Sequence, residues 1–238
     1  MSRMSLYWEL ARPFTLVPPA LGMLSGGLTA LGADQPIELS GGLFFKIFLG
    51  VLMAAMLNAA SNAINQIYDL DVDKINKPGR PIPSGRMSIR EAGWVTVVFY
   101  AIALGLALAV NWECFALATA AGILTVIYSV PPFRTKANAI LANLTIAIPR
   151  GILLKVAGWT TVRSAFDGSR EPWYIGLIFG LFLLGAATTK DFADMKGDEA
   201  GGCITPPSST ARRKQPGSSH PFSFSRFFSF PTASTQES

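Results

Sequence analysis

Residues 62–86 read NAINQIYDLDVDKINKPGRPIPSGR and close an apolar run that begins near residue 43. Asn65, Asp69 and Asp73 stand four residues apart, Asp71 lies between the last two, and Lys, Arg, Pro and Gly follow. On a helix, steps of four residues place Asn65, Asp69 and Asp73 on one stripe that drifts about 40° per step. Asp71 points about 160° away from the mean of its neighbours and is expected to face water. Ionised carboxylates at the edge of hydrocarbon are costly, so the stripe is expected to face a cavity and a partner.

The rest of the chain supplies that hydrocarbon. Half of its 238 residues are hydrophobic and 15% are charged, with a mean hydropathy of +0.37. Soluble domains carry about 25% charged residues. Too few charges remain to coat a globule, so the bilayer is its solvent. The net charge of +5 misleads, because Arg212, Arg213, Lys214 and Arg226 against Glu237 place +3 of it after residue 205. It gives no argument for nucleic acid. Cys114 and Cys203 lie far apart with no partner at metal-ligand spacing. His220 is the single histidine, which excludes histidine-based chemistry and metal sites. Arg3, Glu9 and Arg12 near the start, with no small-residue cleavage site, predict no removable signal peptide.

Apolar runs of about 20 residues, enough to span a bilayer as a helix, occur six times. They fall at 14–33, 43–68, 91–110, 112–130, 138–157 and 173–190. The fold class expected is all-α, a polytopic transmembrane helix bundle. Lys74, Lys77, Arg80, Arg86 and Arg90 follow the second run, Arg134 and Lys136 the fourth, and Lys190 and Lys196 the sixth. The loop at 34–42 has no Lys or Arg, the loop at 111–113 offers only Glu113, and the loop at 158–172 is mixed. The positive-inside rule puts the motif loops on the cytoplasmic side of a multi-pass protein of the cell membrane. Trp94, Trp112, Trp159 and Trp173 near span ends read as an interfacial belt.

A second acidic cluster, Asp191, Asp194 and Asp198, repeats the helical spacing where the sixth run ends. Facing carboxylates repel unless a cation sits between them, and hard oxygen ligands beside a phosphate suit Mg2+. Lys77, Arg80, Arg86, Arg134, Lys136 and Arg150 are the cations available to hold remaining phosphate charge. The segment DLDVD resembles the start of a calcium loop, but Lys74 and Arg80 stand where that loop needs Gly and Glu. One acidic loop end is unremarkable as a solvated terminus. Two with matched spacing on one side are not. Asp71 and Glu199 read as solvated bystanders.

The paired motifs resemble those of the UbiA superfamily of intramembrane prenyltransferases. Asn65, Asp69 and Asp73, continued by NKPGRPIPSG, match its first motif, and Asp191, Asp194 and Asp198 match its second. ARPFTL with Arg12, YSVPPFRTK with Tyr128 and Lys136, and IPRG with Arg150 are further matches, so the resemblance covers about residues 5–205. It implies nine helices around a cavity, with a polyprenyl diphosphate donor bound through Mg2+ held by Asn65, Asp69, Asp73, Asp191, Asp194 and Asp198. Departure of the diphosphate would leave an allylic cation to alkylate a lipophilic acceptor: an aromatic, a pigment or a glycerophosphate lipid. Asp69, Asp73, Asp194, Asp198, Lys136 and Arg150 are the catalytic candidates. Lys136 and Arg150 are placed for phosphate clamping or acceptor activation. Arg12, Asn65, Arg80 and Tyr128 are the substrate-binding candidates, and Arg80 has an alternative role as structural partner to an Asp of its own loop.

Six readable spans fall short of nine. Residues 1–205 are therefore expected to form an incomplete bundle. The Ser-, Pro- and Phe-rich stretch 206–238 is expected to be a disordered tail or a product of a shifted reading frame, and the chain to be inactive or unstable as written. Two alternatives stand beside the enzyme. One is an ion-coupled transporter or binding protein, favoured by Pro18, Pro19 and Pro149 within spans but opposed by acids at span ends. The other is a non-catalytic fragment of a prenyltransferase.

Overall fold

Segments such as LMAAMLNAASNA (52–63) place small residues on helix faces. Without a hydrophobic drive between helices in lipid, small side chains allow the close packing that holds such helices together. The computed structural model describes residues 2–33 and 37–200, without the side chains of residues 139 and 187–200. Among them, every regular element is a helix. In chain order these are α1 (Arg3–Ala11), a 3-10 turn (Pro13–Thr15), α2 (Val17–Leu31), α3 (Gly41–Tyr68), α4 (Leu70–Asn76), α5 (Ile89–Val110) and α6 (Trp112–Ser129). After a 3-10 turn at Thr135–Ala137 come α7 (Ala139–Ala147), a π-helical stretch (Ile148–Leu153), α8 (Leu154–Thr160) and α9 (Glu171–Ala200).

Four stretches are long and apolar enough to cross a membrane: Gly41–Tyr68, Ile89–Val110, Trp112–Ser129 and Ile140–Thr160. The first expected span is broken, α1 with its turn meeting α2 at 57°, and the pair counts as a fifth crossing if taken together. Pro13, Pro18 and Pro19 surround that bend, and each removes a backbone N–H from the ladder. The sixth expected run lies in α9, whose stretch Glu171–Ala186 is apolar. Pro149 explains the π-helical stretch in the fifth, since a helix absorbs such a break by widening one turn.

α3 packs along α5, α2 lies across α8, and α9 lies against the π-helical stretch. The core joins Met53 and Leu57 of α3, Ala103 and Ala107 of α5, Leu117 and Ala121 of α6, and Val156 and Ala157 of α8. Two helix crossings are built on glycine pairs. A Cβ on Gly158 would sit 2.9 Å from the Cα of Gly26, and one on Gly151 would sit 2.5 Å from the Cα of Gly180. A smaller cluster of Leu6, Leu10, Ala63, Ile82, Met87 and Ala92 holds the loop after α4 onto α1, α3 and α5.

The opposite end of the bundle is closed by side chains capping the loop after α8. The Glu113 carboxylate accepts from Ser164 Oγ at 2.5 Å and from Ala165 N–H at 2.9 Å. The indole N–H groups of Trp159 and Trp173 donate to Ser164 O (3.2 Å) and Ala165 O (3.0 Å). Trp94 and Trp112 are exposed, as a belt requires, but Trp159 is only 4% exposed. Its place is the core, because its indole closes this loop.

Candidate active site

α3 runs intact through Tyr68, and Asp69 stands between α3 and α4 with φ −104° and ψ 15°. The hydrogen-bond ladder continues across it, Asp69 N–H donating to Asn65 O at 2.9 Å and Asp73 N–H to Asp69 O at 2.7 Å. The stripe predicted from spacing is therefore present, with one distorted residue at its centre. Asn65 Oδ1 accepts from Ser129 Oγ of α6 at 3.3 Å. Asp71 is exposed and pairs with Lys74 at 3.3 Å.

Asp69 and Asp73, the carboxylates of the first motif, each meet a cation. Asp69 is paired with Lys136, and Arg134 Nη2 stands 3.7 Å from the same Oδ1. Both cations come from the segment between α6 and α7, in which Arg134 holds a left-handed backbone with φ 31°. Asp73 is 4% exposed and is bound by Arg80 from the loop after α4. That loop is fixed at its far end by Arg86, whose guanidinium donates to both oxygens of Glu9, at 2.7 and 2.6 Å, and to Gly79 O at 2.5 Å. The hydrogen bond to Glu9 pushes the Arg86 guanidinium up from its ordinary value, so it remains a fixed cation. Arg86 thus ties this loop to α1. Gly85 turns this loop with φ 74°, a conformation that favours glycine.

Arg150 lies in the π-helical stretch and lines a small open cleft. Pro19 of α2, Asn58 and Ser61 of α3, Thr125 of α6 and Pro149 share it. Ser61 and Asn58 are one and two turns from Asn65 on α3, so cleft and acidic stripe share a helix. Tyr128 lies in the last turn of α6, next to Ser129. Arg12 stands at the bend between α1 and α2 with a left-handed φ of 56°. α4 packs against α9, the helix that carries positions 191, 194 and 198. The side chains of Asp191, Asp194 and Asp198 lie outside the described residues.

The donor set can be weighed against a metal. Asn65, Asp69 and Asp73 offer oxygen only, which fits Mg2+. Among the described residues no three His, Cys, Asp or Glu side chains gather around one point. The described half of the site is therefore a partial coordination set whose charge is balanced by Lys136, Arg134 and Arg80. Such a mixture of carboxylates and guanidinium groups suits a metal–diphosphate better than a bare cation, because the phosphate oxygens need donors of their own. Arg134 Nε is buried with no hydrogen-bond partner among the described residues, a donor left over on that side. The contributions of Ser129, Ser61 and Thr125 were not legible in the sequence, since isolated hydroxyls on an apolar helix carry no spacing signal.

Comparison with known proteins follows the same lines. The model of the UbiA prenyltransferase family matches residues 16–218. The chain is 37% identical over 197 residues to a probable chloroplastic homogentisate phytyltransferase 2 of Oryza sativa subsp. japonica, covering 80% of this chain and 52% of that protein. It is 33% identical over 206 residues to the digeranylgeranylglyceryl phosphate synthase of Methanopyrus kandleri, covering 86% and 69%. The chain thus spans about half the length of the rice relative. The solved structure of a UbiA homologue from Archaeoglobus fulgidus bound to GPP and Mg2+ shares the fold with a TM-score of 0.70 at 23% identity, over 88% of this chain and 70% of that one.

Proposed function

The chain belongs to the UbiA prenyltransferase family, and from that premise we propose that it transfers a prenyl group from a polyprenyl diphosphate to a lipophilic acceptor within the membrane. The observation that carries the reading is the convergence of Lys136 and Arg134 on Asp69 beside the Arg80–Asp73 pair. Carboxylates and cations meet there at the end of a membrane-spanning helix, where a water-soluble diphosphate head reaches a lipid-soluble tail. Asn65, Asp69 and Asp73, with Asp191, Asp194 and Asp198, would hold Mg2+, which neutralises phosphate charge and polarises the leaving group. The motif end of the bundle faces the cytoplasm on the charge asymmetry of the loops.

The residues of this chain would do the following. Lys136 and Arg134 hold diphosphate oxygens as negative charge grows on them, which lowers the barrier to breaking the allylic C–O bond. The bonding pair leaves with the diphosphate. An acceptor carbon or oxygen then bonds the allylic carbon and loses its proton. Arg150, at the cleft, and Tyr128, in the last turn of α6, would face the acceptor or the outer phosphate. The apolar walls exclude water that would otherwise capture the cation. Arg80 serves through Asp73, holding that carboxylate in place. Arg12, at the bend, is a further donor-binding candidate. The acceptor classes named for the relatives, homogentisate and a glyceryl phosphate, set the screen.

The test is direct. Membranes containing the chain are given labelled geranylgeranyl diphosphate, Mg2+ and candidate acceptors, with Asp69→Ala as control. Any label transferred is expected to depend on Asp69, and a chain that transfers none would bear out the expectation that it is inactive as written. Equal transfer without that carboxylate removes the assignment.

A further inference from the structure

A helix broken inside a membrane exposes backbone groups that lipid cannot satisfy. The bend between α1 and α2 leaves carbonyls rather than N–H groups in need. In an unbroken helix, Thr15 O would take the N–H of residue 19, but Pro19 has none. Ala11 O would take the N–H of Thr15, which instead donates to Arg12 O at 2.9 Å. Leu10 O would take the N–H of Phe14 in the same way, and it receives a side-chain donor.

The missing donors come from one face of α3. Asn58 Nδ2 donates to Thr15 O at 2.8 Å. Asn62 Nδ2 donates to Ala11 O at 2.9 Å and to Thr15 Oγ1 at 2.7 Å. Gln66 Nε2 donates to Leu10 O at 2.8 Å. Asn58, Asn62 and Gln66 are themselves four residues apart and are all buried, Gln66 completely. They run beside the stripe of Asn65, Asp69 and Asp73 on the same helix. Arg12, in the strained left-handed conformation that needs outside support, lies within the segment they hold.

We propose that Asn58, Asn62 and Gln66 are positioning residues that stand in for the backbone donors lost at the bend, and so fix Arg12 and the α2 wall of the cleft against the acidic helix. Asn58 and Pro19 line the same cleft, so the substitution of one N–H for another occurs at its wall. The inference rests on the prenyl-transfer reading only for its effect on substrate, and its structural half stands alone.

A rescue experiment separates this role from packing. Asn58→Leu removes the donor to Thr15 O while keeping bulk. Pro19→Ala restores a backbone N–H to the same carbonyl. Hydrogen exchange of the amides of residues 15–20 is measured in the full chain for wild type, Asn58→Leu, Pro19→Ala and the double variant. Asn58→Leu is expected to exchange about tenfold faster, as loss of one buried hydrogen bond requires, and the double variant to return toward wild type. In the transfer assay, KM for geranylgeranyl diphosphate is expected to rise several-fold in Asn58→Leu with kcat little changed, and to recover in the double variant. Unchanged exchange, or no recovery with Pro19→Ala, overturns the ladder whatever the activity. Recovery of exchange with an unaltered KM overturns its role in positioning substrate. If the wild type transfers no label, the functional reading fails while exchange still decides the ladder.

Discussion

Arg80 and Asp73, seven residues apart, form a buried ion pair at the end of α3 and α4, with 15% and 5% of their side chains exposed. Breaking such a pair from one side strands a charge out of water, at a cost of about 3 kcal/mol. Arg80→Met is therefore expected to lower the thermal stability of the purified chain and abolish transfer. Asp73→Asn combined with Arg80→Met should recover most of the stability and none of the activity. If Arg80→Met keeps full stability and loses only donor affinity, the guanidinium belongs to substrate rather than to Asp73.

The sequence made the acidic stripe, the drift of Asp71 away from it and the helical class readable, because periodicity and hydropathy are local properties. Arg86 shows where local reading ends. Its charge fits a phosphate clamp, yet its partner is Glu9, 77 residues earlier, and no spacing rule spans that distance. Trp159 is similar: its position near a span end suggested the interface, but a loop carbonyl takes its N–H. The bend at residues 12–16 falls within an apolar run read as one span, and its solution lies in ordinary amides on another helix. The carrier alternative drew on Pro18 and Pro19 at this bend and on Pro149. Carriers leave unwound carbonyls open to ions, and here Leu10, Ala11 and Thr15 have theirs occupied.

The glycine crossing of α2 and α8 gives a test of packing. A Cβ on Gly158 would stand 2.2 Å from Met23 O, a backbone atom that cannot swing aside. Gly158→Ala should force the helices apart and cost about 1–3 kcal/mol. Gly105→Ala, with nothing within 4 Å of the added Cβ, should be neutral or slightly stabilising. Melting of both variants in detergent compares them. Equal melting of the two would show that α2 and α8 do not meet as closely as described.

Glu113 tests the far end of the bundle. Its carboxylate holds Ser164 Oγ and Ala165 N–H while 8% exposed. Glu113→Ala leaves a buried backbone N–H without an acceptor, which costs about 1–3 kcal/mol. The loop after α8 should loosen, seen as faster proteolysis between residues 160 and 172, while donor KM stays within about twofold because Asp69 lies at the other end of the bundle. A large change in donor KM with an intact loop would place the donor at the wrong end.

Lys136 can be separated into two roles. It neutralises Asp69, and on the proposed reading it also holds a phosphate oxygen. Lys136→Met alone does not distinguish these, since either loss lowers activity. Asp69→Asn removes the charge that needs neutralising. If neutralisation is all that Lys136 does, the double variant Asp69→Asn/Lys136→Met should be no worse than Asp69→Asn. If Lys136 stabilises the leaving diphosphate, the double variant should lose a further factor of about 100, the usual scale for one well-placed donor to developing charge. Lys136→Arg keeps the charge but not the compact ammonium, and should restore only part of the rate. A Mg2+ titration completes the case. Asp69→Asn should need more Mg2+ for half-maximal transfer, whereas Lys136→Met should not. The same Mg2+ requirement in both variants would show that Asp69 does not contribute to holding the ion.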